Sequence, residues 1–193
     1  MRAGRWQTSL GVDLEGKTLG VIGLGKLGST VARIGQAFGM QPIAWSQNLT
    51  PERASEVGVG YATKQELLRR ADVVSIHVVL SKRTRGLLGV ADLALMKPSA
   101  LLVNTSRGPI VDEAALAAAL QEGRIAGAGI DVYGQEPLPP DHPLLAAPNT
   151  VLTPHLGYVT EENYRAYFPD VVEDVLAFLD GKPVRALRPT AAQ

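Results

Sequence analysis

The segment Gly23-Leu24-Gly25-Lys26-Leu27-Gly28 constrains this chain more than any other stretch. It follows an apolar run over residues 17–22 and precedes a segment, 29–38, in which Val31, Ile34 and Phe38 recur at helical spacing beside the small residues Ala32, Gly35 and Ala37. A second apolar run, 41–45, comes next. Strand, glycine turn, helix and strand in that order assign each glycine a role. Gly23 permits the tight turn, Gly25 lets the backbone approach a pyrophosphate, and Gly28 lets the helix pack close to the strand. N–H groups at the helix start then hold the negative charge. In a chain with 20 glycines G-x-G-x-x-G alone arises by chance; flanked by strand and helix it reads as a dinucleotide site.

The remaining chain continues the alternation. Thr50-Pro51 reads as a helix cap with proline at the first helical position, and Thr63-x-x-Glu66 as a capping box before Leu67 and Leu68. The β-branched run 72–79 reads as a buried strand with His77 inside it. A short helix closes near 93–96, before Pro98. Strands are expected over 100–104, 126–132 and 150–153, and a helix over 113–121 capped by Asp112. Residues 134–148, with five prolines, read as a loop. Thr160 caps a final helical stretch, which Pro169 is expected to interrupt before an apolar face of Val171, Val172, Val175, Leu176 and Leu179. That face is suited to the core, a second subunit or a further domain. Strands alternating with helices imply an α/β chain, a Rossmann-type doubly wound parallel sheet in three αβα layers, with ligands at the carboxyl ends of the strands.

Composition excludes several function classes. Lys+Arg and Asp+Glu are both 19, and no basic run or aromatic-basic interleaving occurs, so nucleic acid is not the expected partner. The absence of cysteine removes disulfides, thiolate metal sites and cysteine nucleophiles, and fits a cytoplasmic location. No apolar stretch approaches the roughly 18 residues that span a bilayer, and the first 16 residues lack a secretory core. The three histidines are far apart in sequence and no clustered carboxylates accompany them, so no metal is expected.

Polar groups recur where strands end: His77; Asn104-Thr105-Ser106-Arg107-Gly108; Asp131, with Glu136 beyond it; and His155. Singly, each has a simpler reading. His77 is a hydrogen-bonded cleft wall, Arg107 a surface cation, Asp131 a turn cap, Glu136 a solvated carboxylate, His155 part of a chain reversal, and His142 a loop residue. Together they match the needs of hydride transfer to a 2-oxo acid. Arginine binds the substrate carboxylate bidentately, histidine protonates the developing alkoxide, and a carboxylate holds that histidine and raises its pKa.

At these residues the chain resembles the D-isomer-specific 2-hydroxyacid dehydrogenases, over about residues 6–184. The resemblance rests on Leu14-Glu15-Gly16-Lys17-Thr18-Leu19-Gly20, the glycine turn, Asn104-Thr105-Ser106-Arg107-Gly108, Gly129-Ile130-Asp131-Val132 with Glu136-Pro137, and Thr153-Pro154-His155-Leu156-Gly157. It implies catalytic roles for Arg107 (substrate carboxylate), His155 (acid/base) and Glu136 (its partner). It further implies a cofactor cleft of Gly23, Gly25, Lys26, Leu27, Gly28, Ser46, His77, Thr84, Thr105, Ser106, Arg107, Asp131, His155 and Gly157, with Asp131 near the nicotinamide carboxamide. NAD is the implied cofactor, a small 2-hydroxy or 2-oxo acid the substrate, and a homodimer the assembly.

The chain departs from the family in two ways. Where NAD-dependent members carry an aspartate after the second strand, Ser46 stands 18 positions after Gly28, which opens the site to NADP; Arg53 is the nearest arginine beyond it in sequence. In the family the substrate domain combines an N-terminal segment with the C-terminal tail, and here only the returning helix near 171–180 is expected. The expected organisation is an arm over 1–16, a dinucleotide-binding domain over 17–158, and a helix and tail over 159–193. The alternative function is a non-catalytic module that binds or senses dinucleotide.

Overall fold

The computed structural model describes residues 3, 4, 6 and 10–187. The chain divides into two compact units, Met1–Pro154 and His155–Gln193.

The first unit is built on a seven-stranded parallel sheet: β1 (Thr18–Ile22), β2 (Gln41–Trp45), β3 (Gly60–Tyr61), β4 (Val73–Ile76), β5 (Leu101–Asn104), β6 (Gly127–Ile130) and β7 (Thr150–Leu152), in the order β3-β2-β1-β4-β5-β6-β7. Helices α1 (Lys26–Ala37), α2 (Pro51–Glu56), α3 (Lys64–Arg70), α4 (Val90–Leu93), α5 (Glu113–Gln121) and α6 (Pro143–Ala146) join the strands. Alternate residues of β1 serve opposite faces. Leu19 and Val21 pack with Ala32, Met40 and Ala44 in one core, while Ile22 joins Ile43, Leu67, Leu68 and Ile76 in the other. Burial on both faces is why the strands read as continuous apolar runs.

Register sets the site. Ile22 lies opposite both Trp45 and Ile76, Ile76 opposite Asn104, Asn104 opposite Ile130, and Ile130 opposite Leu152. The next residue of each strand therefore emerges at one edge: Ser46, Gly23, His77, Thr105, Asp131 and Thr153. The order reverses between β1 and β4, which makes that edge the switch point of a doubly wound sheet.

Caps decide several helix starts. Thr50, Thr63 and Asp112 accept the N–H groups of Arg53, Glu66 and Ala115, and Glu66 completes the capping box at Thr63. Three expectations need correction. β4 ends at Ile76, so His77 lies beyond the strand rather than inside it. The 134–148 segment contains a short helix, α6, started by His142 and Pro143.

In the second unit α7 (Glu161–Leu179) runs through Pro169 instead of breaking there. Proline removes one N–H and crowds the preceding turn, at about 3 kcal/mol. Both flanks are held: Thr160 caps the start, Arg165 bonds Glu161, and Arg185 clasps the Asp170 carbonyl, Glu173 and Asp174.

Asp72, just before β4, joins sequence-distant segments: its carboxylate accepts Thr18 N and Lys97 Nζ, each at 2.8 Å. Burial pushes its pKa up, but the Lys97 ammonium and the Thr18 N–H outweigh that and hold it below the ordinary 3.8. A depressed carboxylate pKa stabilises the fold above the unfolded value and loses that contribution as pH falls through the folded value. Asp72→Asn is expected to cost about 1 kcal/mol or somewhat more at pH 7. In urea denaturation the gap to the parent should hold steady down to about pH 5 and close below about pH 4; a pH-independent gap would show that charge at Asp72 is not what matters.

Candidate active site

The β1–α1 turn follows the glycine logic residue by residue. Gly23 has φ +101°, and a Cβ on Gly28 would lie 1.9 Å from the Gly23 carbonyl oxygen. Gly25 is different. Its φ of −81° suits any residue, and a Cβ there would meet nothing within 4 Å. Neither backbone conformation nor packing within the chain calls for glycine, whereas close approach by a ligand does. Gly25 is also the N-cap of α1, with no side-chain cap and no acidic residue in the first turn. The twelve-residue α1 thus presents its N-terminal N–H groups and partial positive charge at the sheet edge, as a pyrophosphate requires.

Two clefts, each of about 480 Å³, open at this edge. One is lined by Gly23, Gly25, Trp45 and the segment after β2, Ser46 to Leu49, together with Arg53, Ser81, Arg83 and Thr84. Thr84 Oγ1 donates to Val79 O and accepts Ser81 N, both at 2.7 Å, folding the loop that forms this wall. The other cleft runs from Leu27, in the first turn of α1, past His77 to Thr105, Ser106 and Arg107. His77 Nε2 lies 2.9 Å from Ser75 Oγ, and burial pushes its pKa below the ordinary 6.5, so it is neutral at pH 7. That is the chemistry of a cleft wall rather than a proton donor.

Arg107 is carried by a bracketed turn. The buried Asn104 donates through Nδ2 to Arg107 O at 3.0 Å and accepts Ser106 N at 3.1 Å, while Ser106 Oγ donates to Val78 O at 2.6 Å. A Cβ on Gly108 would fall 2.0 Å from Tyr133 C and 2.4 Å from Gly134 N, so the Arg107 segment lies directly on the turn that leads to Glu136. In that turn Glu136 Oε1 accepts Tyr133 N at 2.9 Å. Glu113 Oε1 accepts Gly134 N at 2.8 Å and its Oε2 lies 3.4 Å from His142 Nε2. Asp131 is buried and accepts the Thr153 hydroxyl. Tyr133 donates toward Thr153 O at 3.0 Å; its burial and the nearby Asp131 charge push its pKa up.

The second unit opens at His155, in the left-handed region at φ +55°, its ring edge-on to Tyr158 with centroids 5.7 Å apart. Leu156 and Gly157 follow.

The structure thus gathers Gly23, Ser46, His77, Thr105 and Asp131 at one sheet edge, sets Lys26, Leu27 and Gly28 in the first turn of α1, and clamps the Arg107 and Glu136 segments together. Sequence reading missed Arg83 in the cleft wall and the Glu113–His142 fastening of the Glu136 turn. It named Arg53 only as the nearest arginine beyond Ser46, and the structure places both in the lining of one cleft. Nothing in the local pattern marked Arg83, Glu113 or His142 for these places, because fold-level proximity alone brings them to the site. Among the described residues no group of three or more His, Asp or Glu is placed to hold a metal ion, and no helix is long and apolar enough to cross a membrane.

A doubly wound parallel sheet with a glycine-led, uncapped helix start at its switch point defines a dinucleotide-binding domain. Residues 1–157 match the family described as D-isomer specific 2-hydroxyacid dehydrogenase, NAD binding domain. The chain belongs to that family and carries its NAD-binding domain. It is 49% identical over 173 residues to a glyoxylate reductase of Aeropyrum pernix, covering 90% of this chain and 52% of the relative. Among solved structures, a phosphoglycerate oxidoreductase from Vibrio cholerae superposes with a TM-score of 0.87 at 41% identity, over 93% of this chain and 59% of that one. A D-lactate dehydrogenase from Aquifex aeolicus, complexed with NAD and lactic acid, gives 0.81 at 34% identity, over 94% and 59%. The chain spans about half the length of the glyoxylate reductases it matches, 52% of the A. pernix enzyme.

Proposed function

We propose that this chain supplies the dinucleotide-binding domain of an oxidoreductase that moves hydride between a nicotinamide and C2 of a small D-2-hydroxy or 2-oxo acid. The observation that carries the reading is the open, uncapped N-terminus of α1 over Gly25, at the edge where Ser46, His77, Thr105 and Asp131 emerge. Bound reduced nicotinamide supplies the hydride. Arg107 holds the substrate carboxylate through paired N–H groups and polarises the adjacent carbonyl. His155, with Glu136 as its carboxylate partner, delivers the proton to the carbonyl oxygen as C2 gains hydride. Asp131 and the Thr105–Arg107 turn line the nicotinamide end, and Gly25 to Gly28 the pyrophosphate.

In this reading residues 17–158 are the dinucleotide domain, 1–16 an arm, and 159–193 a helix and tail that serve the substrate domain. The protein works in the cytoplasm as a homodimer. Glyoxylate, hydroxypyruvate, pyruvate and longer 2-oxo acids are the substrate class.

Trp45 lines the cleft and reports the first step. Reduced dinucleotide is expected to quench its emission saturably. Gly25→Val, whose added side chain starts in open space and leaves the fold intact, is expected to weaken that binding about tenfold or more. Oxidation of the reduced dinucleotide by the protein as its gene encodes it, against the 2-oxo acid panel, should be saturable with at least one member. Absence of quenching would overturn the reading. Binding without turnover would favour the dinucleotide-sensing module.

A further inference from the structure

Glu113 opens α5, where an acidic side chain ordinarily serves the helix N-terminus. Here the carboxylate turns away from its own helix. Its Oε1 accepts Gly134 N, 21 residues further on, at 2.8 Å, and its Oε2 stands 3.4 Å from His142 Nε2. His142 Nδ1 accepts Leu144 N at 3.4 Å, so Nε2 is the ring atom that carries a hydrogen toward Glu113. Both carboxylate oxygens are therefore acceptors, each toward a different segment. The Glu113 and His142 side chains are 18% and 14% exposed, so water does not readily replace either partner. A Cβ on Gly134 would lie 2.9 Å from Glu113 Oε2, so the carboxylate fills the space that a side chain at 134 would take.

The stretch 107–113 touches the Glu136 turn at two points. Near its start, Gly108 lies directly on Tyr133 and Gly134. At its end, Glu113 holds the Gly134 N–H. Within the turn the adjacent N–H, that of Tyr133, goes to Glu136 Oε1 at 2.9 Å. Two neighbouring amides are divided between two carboxylates, and the two contacts do different things. The Glu136 contact closes the turn on itself. The Glu113 contact fixes the turn relative to the chain that carries Arg107. His142 ties the start of α6 to the same carboxylate, with its ring edge-on to Tyr133 and the centroids 6.4 Å apart.

We infer that Glu113 is a positioning residue of the hydride-transfer site: its hydrogen bond to Gly134, braced by His142, sets the separation of the Arg107 segment and the Glu136 turn. The inference rests on the reading of Arg107 as the substrate arginine and of Glu136 as the carboxylate partner of His155. Glu113 acts through the backbone that carries them. Glutamine is a poor substitute, because an amide has one accepting and one donating end and can serve Gly134 N–H or His142 Nε2–H, but not both.

The test is a double-mutant cycle in 2-oxo acid reduction by the intact protein. Glu113→Ala removes the carboxylate. Gly134→Ala keeps it but displaces it, because the new methyl takes its place and the end of the Glu113 side chain yields. Each is expected to lower kcat about tenfold, and Glu113→Gln about threefold, with the Kd for reduced dinucleotide, read from Trp45 quenching, within about twofold of the parent. The double variant should lose no more than the greater single loss, since both changes break one contact. Amide exchange at Gly134 should quicken about tenfold in Glu113→Ala, while amides within β5 and β6 keep their parental rates. Gly134→Ala carries the test if Glu113→Ala does not fold. If kcat of the folded variants stays within about twofold of the parent, or the losses multiply in the double variant, Glu113 is a structural residue and the inference fails with the hydride-transfer reading intact. A parent without turnover on any 2-oxo acid overturns that reading and the inference with it.

Discussion

Gly108→Ala is expected to lower stability by about 3 kcal/mol, the upper range for overpacking, because the added methyl meets backbone rather than yielding side chains. Its Cβ would stand 2.0 Å from Tyr133 C and 2.4 Å from both Gly134 N and Tyr133 Cα. No rotamer change relieves that contact. Either the turn after β6 or the Arg107 segment must withdraw by more than an ångström. Gly134 is fastened by Glu113 and the Arg107 carbonyl by Asn104, so the displacement breaks hydrogen bonds on whichever side moves. The melting temperature should fall by about 6–12 °C for a chain of this size. In the protein that is still folded, kcat/KM should drop about a hundredfold, since a shift of that size spoils substrate positioning. Gly129→Ala is the matched control: its Cβ would find only Val103 Cγ2 at 3.9 Å, an ordinary contact. If the two variants melt together with the parent, the two turns are not clamped as described.

Much of this architecture was legible because local signals agreed with the global fold. Asp112 marked the start of α5, which runs over Glu113–Gln121 as expected, and Thr63 with Glu66 marked α3. The apolar runs marked β1, β2, β5 and β7 to within a residue or two; β1 and β2 are buried along most of their length, whereas β7 is an edge strand with no buried residue. β3 escaped notice because two residues carry no periodicity; Gly60 and Tyr61 pair only because β2 offers an edge. The proline-rich 134–148 stretch hid α6 because a four-residue helix has no periodicity either, although Pro143 at its first turn was a signal. The break expected at Pro169 failed for a physical reason: the cap at Thr160 and the Arg185 clasp lie too far from the proline in sequence for a local reading to weigh them against it. For the site, position after a strand end was the useful signal, and parallel register turned it into adjacency for Gly23, Ser46, His77, Thr105 and Asp131. The fastening by Glu113 and His142 had no such signal. Each looked like an ordinary first-turn acid or loop histidine until the fold brought them to 3.4 Å.

His155→Gln is expected to lower kcat about 10²–10⁴-fold in the direction of 2-oxo acid reduction, with KM and dinucleotide affinity nearly unchanged. Glutamine keeps a planar polar group of similar reach but has no proton to give at any working pH. Its amide can still hydrogen-bond the substrate carbonyl, so binding survives while the proton-transfer contribution to the barrier is lost. The left-handed backbone at His155, φ +55°, admits glutamine at modest strain because His and Gln share the same Cβ constraint. Histidine there tolerates that conformation better than most residues and carries an exchangeable ring proton. The pH profile separates a proton donor from a structural role. In the parent, the reduction rate should fall as rising pH strips the imidazole of its proton, and in His155→Gln that limb should flatten. A His155→Gln enzyme that turns over within threefold of the parent, with the alkaline limb intact, would assign the proton to another group and leave His155 a structural residue.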